Sequence, residues 1–261
     1  MPLQIVRASD RSGRPYYVIA VDEFAAPLGP STPHTRIPIS KLGACIAALK
    51  RNACTHVVFT GKLQRPDGGR VRLRPDWAGL VFLITNLGVL GRENDSIHRA
   101  IARVFERHGL KVVSPLDVAP ELVARAGCFT RTQPTETVKT SFPKALRLAK
   151  AHGATKLGQA VVMQGDAVIA REARAGTDAM IAELTGVSGT GAFLVKAMAP
   201  NQLSTIDPPA IGDSTVTIAA AAGLDGILVE ANRSIVVDID RVREHADELG
   251  LFVCAAVAED A

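Results

Sequence analysis

A lysine and an aspartate frame the stretch Lys196-Ala-Met-Ala-Pro-Asn-Gln-Leu-Ser-Thr-Ile-Asp-Pro-Pro-Ala-Ile-Gly212. Pro200, Pro208 and Pro209 bar a helix or a central strand from running through it, so it reads as a stiff excursion. It leaves the apolar run 192–195 with a cation, Lys196, and returns with one carboxylate, Asp207, which the two following prolines hold in extended backbone. An amine and a carboxylate fixed near each other on an irregular loop suit a phosphate ester with a bound divalent metal. The amine offsets phosphate charge, and the carboxylate holds the ion or orients a water. A surface loop without chemistry is the other reading of the same residues.

Further signals each carry two readings. Gly176-Thr177-Asp178 opens a short helix with Thr177 as N-cap, whose free amides could cradle an anion or be capped and nothing more. Gly61-Lys62 follows a strand, where α/β sheets bind ligands, or is an exposed turn. Asn94-Asp95 is an N-cap first and a ligand contact second. Glu172 and Glu230 close apolar strand runs, as exposed ends or as carboxylates facing a cleft, while Asp225 in Leu-Asp-Gly is turn chemistry. Gly186-Val-Ser-Gly-Thr-Gly191 lacks the Lys-Ser/Thr of a phosphate-binding loop and reads as a turn. The six histidines and four cysteines show no zinc spacing, so a metal would be a hard cation on oxygen ligands.

These residues need elements to position them. In the first half, 3–6 and 16–21 read as strands, 41–49 as a helix and 56–59 as a buried strand. The apolar piece 80–90, a helix at 95–108 and a strand at 111–113 follow. Strand, helix, strand in this order points to a parallel, Rossmann-like sheet over 1–130. Polar, aperiodic 131–142 reads as a linker, and 143–261 as a second α/β domain. That domain opens with a helix at 143–152 carrying Pro143 in its first turn. A hairpin around Gln164-Gly165-Asp166, the strand 192–196 and a helix at 214–222 with a Ser214 N-cap come next. Strands 226–230 and 235–238 pair with each other, and a helix at 241–249 and a strand at 251–257 close the chain.

The 261 residues are 47% apolar but only 4% aromatic, so the cores are built from Ala, Val, Leu and Ile. A net charge of +4 without any Lys/Arg run interleaved with aromatics argues against nucleic acid and fits an anionic small molecule or membrane surface. Scattered Cys45, Cys54, Cys128 and Cys254 read as free thiols of a cytoplasmic chain, and no apolar stretch is long enough to span a membrane.

Taken together the chain resembles the LpxI-type UDP-2,3-diacylglucosamine pyrophosphatases. The matching residues are Phe59-Thr-Gly-Lys-Leu-Gln-Arg-Pro-Asp67, Asn94-Asp95, Leu157-Gly-Gln-Ala-Val-Val162, Glu172 with Gly176-Thr-Asp-Ala-Met180, Lys196 through Gly212, and Val229-Glu-Ala-Asn-Arg233 with Val236-Val-Asp238. The resemblance implies a mixed C-terminal α/β domain, with the site in a cleft between two α/β domains. It implies Mg²⁺, a homodimer at the inner-membrane surface, and water attacking the pyrophosphate of a UDP-activated diacylated glucosamine at the phosphorus that carries the sugar. The products would be UMP and 2,3-diacylglucosamine 1-phosphate, lipid X, on the way to lipid A. It puts the essential aspartate, also the metal ligand, on Asp207, with Lys196 as the second catalytic group. Substrate contacts fall on Gly61, Lys62, Asn94, Asp95, Gln159, Glu172, Gly176, Thr177, Asp178, Gln202, Glu230, Asn232 and Arg233. The chain departs from the family where Arg7-Ala-Ser-Asp10 replaces a Gly-rich loop, where Leu203 replaces an acid and where Thr205 replaces an arginine. These departures leave a binding relative without turnover as the first rival. A dinucleotide-dependent oxidoreductase is the second, and the lack of G-x-G-x-x-G after a strand disfavours it.

Overall fold

The computed structural model describes residues 1–21, 28–61, 74–85, 94–184, 187, 191–200 and 208–258, and of 94–98 the backbone alone. Lys62, Gln202 and Asp207, most of the Gly186–Gly191 turn, and the side chains of Asn94 and Asp95 lie outside the described residues. The chain forms two compact units, Met1–Ala119 and Pro120–Ala261.

The first unit runs α1 (Pro2–Arg11), β1 (Val18–Val21), β2 (His34–Ile37), α2 (Leu42–Arg51), β3 (His56–Val57), α3 (Trp77–Thr85), α4 (Asn94–Arg107), β4 (Lys111–Val112) and α5 (Pro115–Val118). The strand expected at 3–6 is helix. A four-residue apolar run has no period of its own, and Pro2 in the first turn with Ile5, Ala8 and Ser9 buried at helical spacing decides it. The strands pair in parallel as β1 with β2 and β3 with β4, so the described residues show two short ladders where one Rossmann-like sheet was expected. Residues 80–85 of the apolar piece expected at 80–90 form most of α3, and 86–90 lie outside the described residues.

The second unit contains β5 (Gly127–Cys128), α6 (Glu136–Ala154), β6 (Ala160–Gln164), β7 (Ala167–Arg171), α7 (Thr177–Ala182), β8 (Ala192–Lys196) and β9 (Ala210–Ile211). After these come α8 (Asp213–Ala221), β10 (Gly226–Glu230), β11 (Ile235–Val236), α9 (Ile239–Glu248) and β12 (Phe252–Ala256). Residues 136–142, expected as linker, are the first two turns of α6. Thr135 caps that helix by accepting from the Val138 amide at 3.3 Å, so the Thr-rich composition serves a helix start. Pro143 consequently lies inside the helix, with the hydroxyls of Thr140 and Ser141 donating to the carbonyls of Thr137 and Val138 just before it.

A mixed sheet in the order β5-β12-β10-β8-β6-β7 is the centre of this unit: β8, β10 and β12 are parallel, while β6 runs antiparallel between β8 and β7. Alternation sends successive residues to opposite faces. Ala160, Val162, Leu194, Ile227, Val229 and Val253 pack on one face with α7, α8 and α9. Val161, Met163, Phe193, Val195, Leu228 and Phe252 pack on the other with Phe142, Leu146 and Ala149 of α6. Phe142, Phe193 and Phe252 meet there with ring centroids 5.9–6.3 Å apart. Gly226 is required under this cluster, because a Cβ would run into the Phe252 ring.

Two expectations change here. β11 pairs with β9 and not with β10, since both faces and both edges of β10 are already taken by the central sheet. Cys128 and Cys254 stand opposite each other in the β5–β12 ladder and form a disulfide, leaving Cys45 and Cys54 as free thiols. A pair 126 residues apart has no signature in sequence spacing.

α8 and α9 are tied by Asp213, which accepts from His245 Nδ1 at 2.6 Å and from Arg241 at 3.1 Å. Gly212 occupies the N-cap position expected for Ser214. Desolvation pushes the Asp213 carboxyl up, but the hydrogen bonds and positive charge of His245 and Arg241 together hold it below its ordinary 3.8. A depressed folded-state pKa stabilises the native state above the unfolded value and is lost as pH falls below it. The melting temperature of Asp213→Asn is therefore expected below wild type from pH 7 down to about 4. The gap should close as pH falls further, in thermal melts followed by circular dichroism.

Candidate functional site at one edge of the mixed sheet

The register of the central sheet brings the residues singled out in the second half into one row. Lys196 ends β8 and pairs with Ala160 of β6 on one side and Val229 of β10 on the other, so Gln159 and Glu230 flank it. The antiparallel turn back along β7 delivers Glu172 to the same edge, where its amide donates to the Ala160 carbonyl at 3.0 Å. With neighbouring strands about 4.8 Å apart, an amine, a carboxamide and two carboxylates lie along one rim. This rim is at the carboxyl ends of β8, β10 and β12, the side on which sheets of this kind bind ligands.

Each side chain has a defined task. Lys196, half-buried, donates to the Ala210 carbonyl at 3.2 Å, which closes the base of the excursion it opens. The excursion's return is anchored by buried Pro208 and Pro209, the latter accepting from the Ile235 amide at 2.8 Å. Glu230 is 2% exposed. One of its oxygens accepts the Met198 amide at 2.8 Å; the other accepts from Lys150 at 3.2 Å and lies 3.7 Å from Arg233. It therefore braces the start of the excursion against α6. Glu172 accepts from the Gln159 amide at 2.7 Å and from the Thr177 hydroxyl at 2.9 Å. Thr177 was expected to cap α7, yet its hydroxyl goes to this carboxylate, the stronger acceptor, and Gly176 at φ 94° takes the cap position. A side chain on Gly158 would collide with Glu172, so that glycine keeps the carboxylate in place.

Asp178, Asn232 and Arg233 are exposed beside the row. Asn232 adopts a left-handed conformation and donates its amide to Ala124 at 2.7 Å. Gly61, also left-handed at φ 106°, belongs to the first unit. Asp225 accepts from the Gly191 amide at 2.7 Å, 34 residues away in the chain, so its carboxylate ties two distant turns together and does not make the local turn contact expected of it. A cavity of about 340 Å³ opens between β7 and α7, lined by Ile169, Arg171, Gly176, Met180, Glu183 and Leu184, and abuts the Gly176 end of the row.

Sequence reasoning missed Lys150 and His152 of α6. They reach Glu230 and the Glu172 carbonyl, and His152 lies 2.8 Å from that carbonyl. Two polar residues two apart on a helix carry no catalytic signature; only the packing of α6 on the sheet reveals them.

Among the described residues no three His, Cys, Asp or Glu side chains cluster as a metal site. The one available acceptor in the row is the buried Gln159 Oε1, which has no hydrogen-bond partner among the described residues. The described residues do not by themselves fit a resident Mg²⁺. Both carboxylates of the row are engaged within the protein, and Asp207 lies outside the described residues.

A mixed α/β unit with a half-buried ammonium, a carboxamide and two internally bonded carboxylates at its strand ends, preceded by a second α/β unit, defines a two-unit α/β protein with a polar rim on its mixed sheet. The comparisons narrow this class. Residues 1–122 match the LpxI N-terminal domain and residues 125–254 the LpxI C-terminal domain. The chain is 32% identical to the UDP-2,3-diacylglucosamine pyrophosphatase LpxI of Caulobacter vibrioides, covering 97% of this chain and 92% of that protein. It belongs to the LpxI family.

Removing the Glu230 carboxylate orphans a buried amide and a mostly buried ammonium. Glu230→Ala is expected to cost about 2–4 kcal/mol in urea unfolding, and Glu230→Gln less because it keeps an acceptor for Met198. Equal stabilities for the two variants would contradict the brace.

Proposed function

We propose that this protein hydrolyses the pyrophosphate of UDP-2,3-diacylglucosamine, releasing UMP and 2,3-diacylglucosamine 1-phosphate at the cytoplasmic side of lipid A synthesis. The observation that carries the reading is the 32% identity to a pyrophosphatase of that name across nearly the full length of both chains. The sheet-edge row supports it, because a half-buried ammonium at strand ends is what a diphosphate's charge requires.

In the proposed reaction a water oxygen bonds to the phosphorus carrying the sugar, the bridging P–O bond breaks, and UMP leaves with the bridging oxygen. Asp207 orients the water and accepts its proton, and Lys196 offsets the charge that builds on the phosphate oxygens. Gln159, through an Oε1 that has no partner among the described residues, accepts from a donor of the substrate. Glu172 and Thr177 hold the turn that presents the Gly176 end of the row. Mg²⁺ and a homodimer belong to the proposal; the metal would rely on Asp207 together with the substrate's own phosphate oxygens.

The Leu203 and Thr205 departures favour one second reading, a relative that binds the nucleotide sugar without cleaving it. Incubation with UDP-2,3-diacylglucosamine separates the two. The proposal expects UMP release that EDTA abolishes and Mg²⁺ restores, lowered about 10²–10⁴-fold in Asp207→Ala and about 10²-fold in Lys196→Ala. In H₂¹⁸O the label should appear in the sugar phosphate. Binding without UMP would establish the second reading, and label in UMP would overturn the site of attack.

A further inference from the structure

The disulfide of the second unit takes no part in the proposed reaction, yet the segment it holds reaches the rim. β5 is an edge strand of two residues, bonded to β12 on one side only. Cys128, half-buried, lies on this edge after exposed Arg125, Ala126 and Gly127. Cys254 is 1% exposed and packs in the cluster of Phe142, Phe193 and Phe252. A small reagent therefore meets the bond from the Cys128 side, because the core shields the other sulfur.

Upstream of the bond, the chain clamps the loop that follows Glu230. Val123 bridges Ile235, the Ala124 amide donates to the Ser234 carbonyl at 2.9 Å, and the Asn232 amide donates to the Ala124 carbonyl at 2.7 Å. That loop presents exposed Asn232 and Arg233 beside the row, with Asn232 left-handed at φ 62°. Such a backbone is uncommon outside glycine and persists where its surroundings enforce it. Downstream, the Phe129 amide donates to the Val253 carbonyl at 2.8 Å, the Thr130 hydroxyl accepts the Val253 amide at 2.9 Å, and Asp247 accepts the Arg131 amide at 2.6 Å. Among the described residues, what holds the chain to β12 between the clamp and these bonds is the disulfide and the two-residue ladder of β5. So short a ladder at an exposed edge opens readily once the covalent link is gone.

We propose that Cys128–Cys254 is a thiol-exchange site that sets the order of the 231–234 loop. A small thiol of the glutathione class attacks the Cys128 sulfur as its thiolate. The S–S bond breaks, a mixed disulfide forms on Cys128, and the Cys254 sulfur leaves. A second small thiolate then displaces Cys128. Two electrons pass to the protein, both protein sulfurs take up the protons the small thiols gave, and the small thiols end as one disulfide. With the link open, β5 loosens from β12, the clamp at Ala124 follows, and Asn232 and Arg233 lose their fixed place beside the row. The proposed cytoplasmic reaction puts the chain among small thiols, where disulfides are usually transient or redox-sensing. The effect on substrate rests on that reading; the exchange and the loosening of the loop do not.

The full-length wild-type protein is equilibrated with glutathione mixtures from oxidised to reduced, alkylated in denaturant and mapped as peptides without reductant. The linked 128–254 peptide is expected at the oxidised end and two alkylated cysteines at the reduced end, with circular dichroism unchanged. Hydrogen exchange on the same samples should show the Ala124 and Asn232 amides at least about tenfold faster in the reduced protein. Cys128→Ala should show the fast rates in every mixture, and the wild-type series decides alone where that variant fails to fold. UMP release should give a KM about threefold higher in the reduced state with a smaller change in kcat. A bond that resists reduced glutathione until the protein unfolds, or that forms in no mixture, would overturn the exchange site. Unchanged rates at Ala124 and Asn232 on reduction would overturn its hold on the loop, and equal KM in the two states its reach to the substrate. Absence of UMP in both states would contradict the hydrolase reading alone, since the peptide map and exchange rates need no substrate.

Discussion

Glu230 sits at the end of the innermost parallel strand pair with almost no exposure, and its carboxylate is the point at which the sheet, α6 and the proline-rich excursion are joined. A charge buried to that extent is tolerated only with donors on both oxygens, and the Met198 amide and the Lys150 ammonium supply them. The geometric consequence reaches further than the pair. The Ala197 amide still bonds the Gln159 carbonyl at 3.2 Å, the Met198 amide goes to Glu230, and the ammonium of Lys196 reaches the returning Ala210 carbonyl. Both ends of the excursion are thus held by contacts within the sheet and α6.

The same logic runs along the rim. Glu172 is held by one backbone amide and one hydroxyl, and its space is kept open by Gly158. Behind the row the sheet is packed on both faces by Ala, Val, Leu and Ile, with three phenylalanines filling the side toward α6. A core of this density transmits any shift in strand register to the rim, and a slip by one residue would turn Lys196 to the opposite face. The chemistry therefore depends on packing that contains no chemical group.

Much of the second unit was legible from the chain. The apolar run 192–195 ending in a cation, the Gly165-Asp166 turn and the glycine after α8 each have one physical reading, and the structure follows them. What failed was non-local or ambiguous. The pairing of 235–236 with 210–211, the Cys128–Cys254 bond and the contacts of Lys150 depend on tertiary placement that no window of sequence contains. The short apolar run 3–6 and the Thr-rich segment 136–142 each fit two elements, and burial chooses the helix in both. Of the candidate site, Gln159, Glu172, Thr177, Lys196 and Glu230 come together in the structure. The role given to Asp207 rests on its place in the sequence between an anchored lysine and an anchored pair of prolines.

The central claim is that this rim is where the ligand binds. Hydrogen exchange of Asp207→Ala, with and without UDP-2,3-diacylglucosamine, tests it most directly, since the substitution is meant to spare binding while blocking turnover. The account predicts ligand-dependent protection of backbone amides at 158–160, 172–177, 196–198 and 230–233. Protection confined to other parts of the second unit, with these amides unchanged, would contradict it.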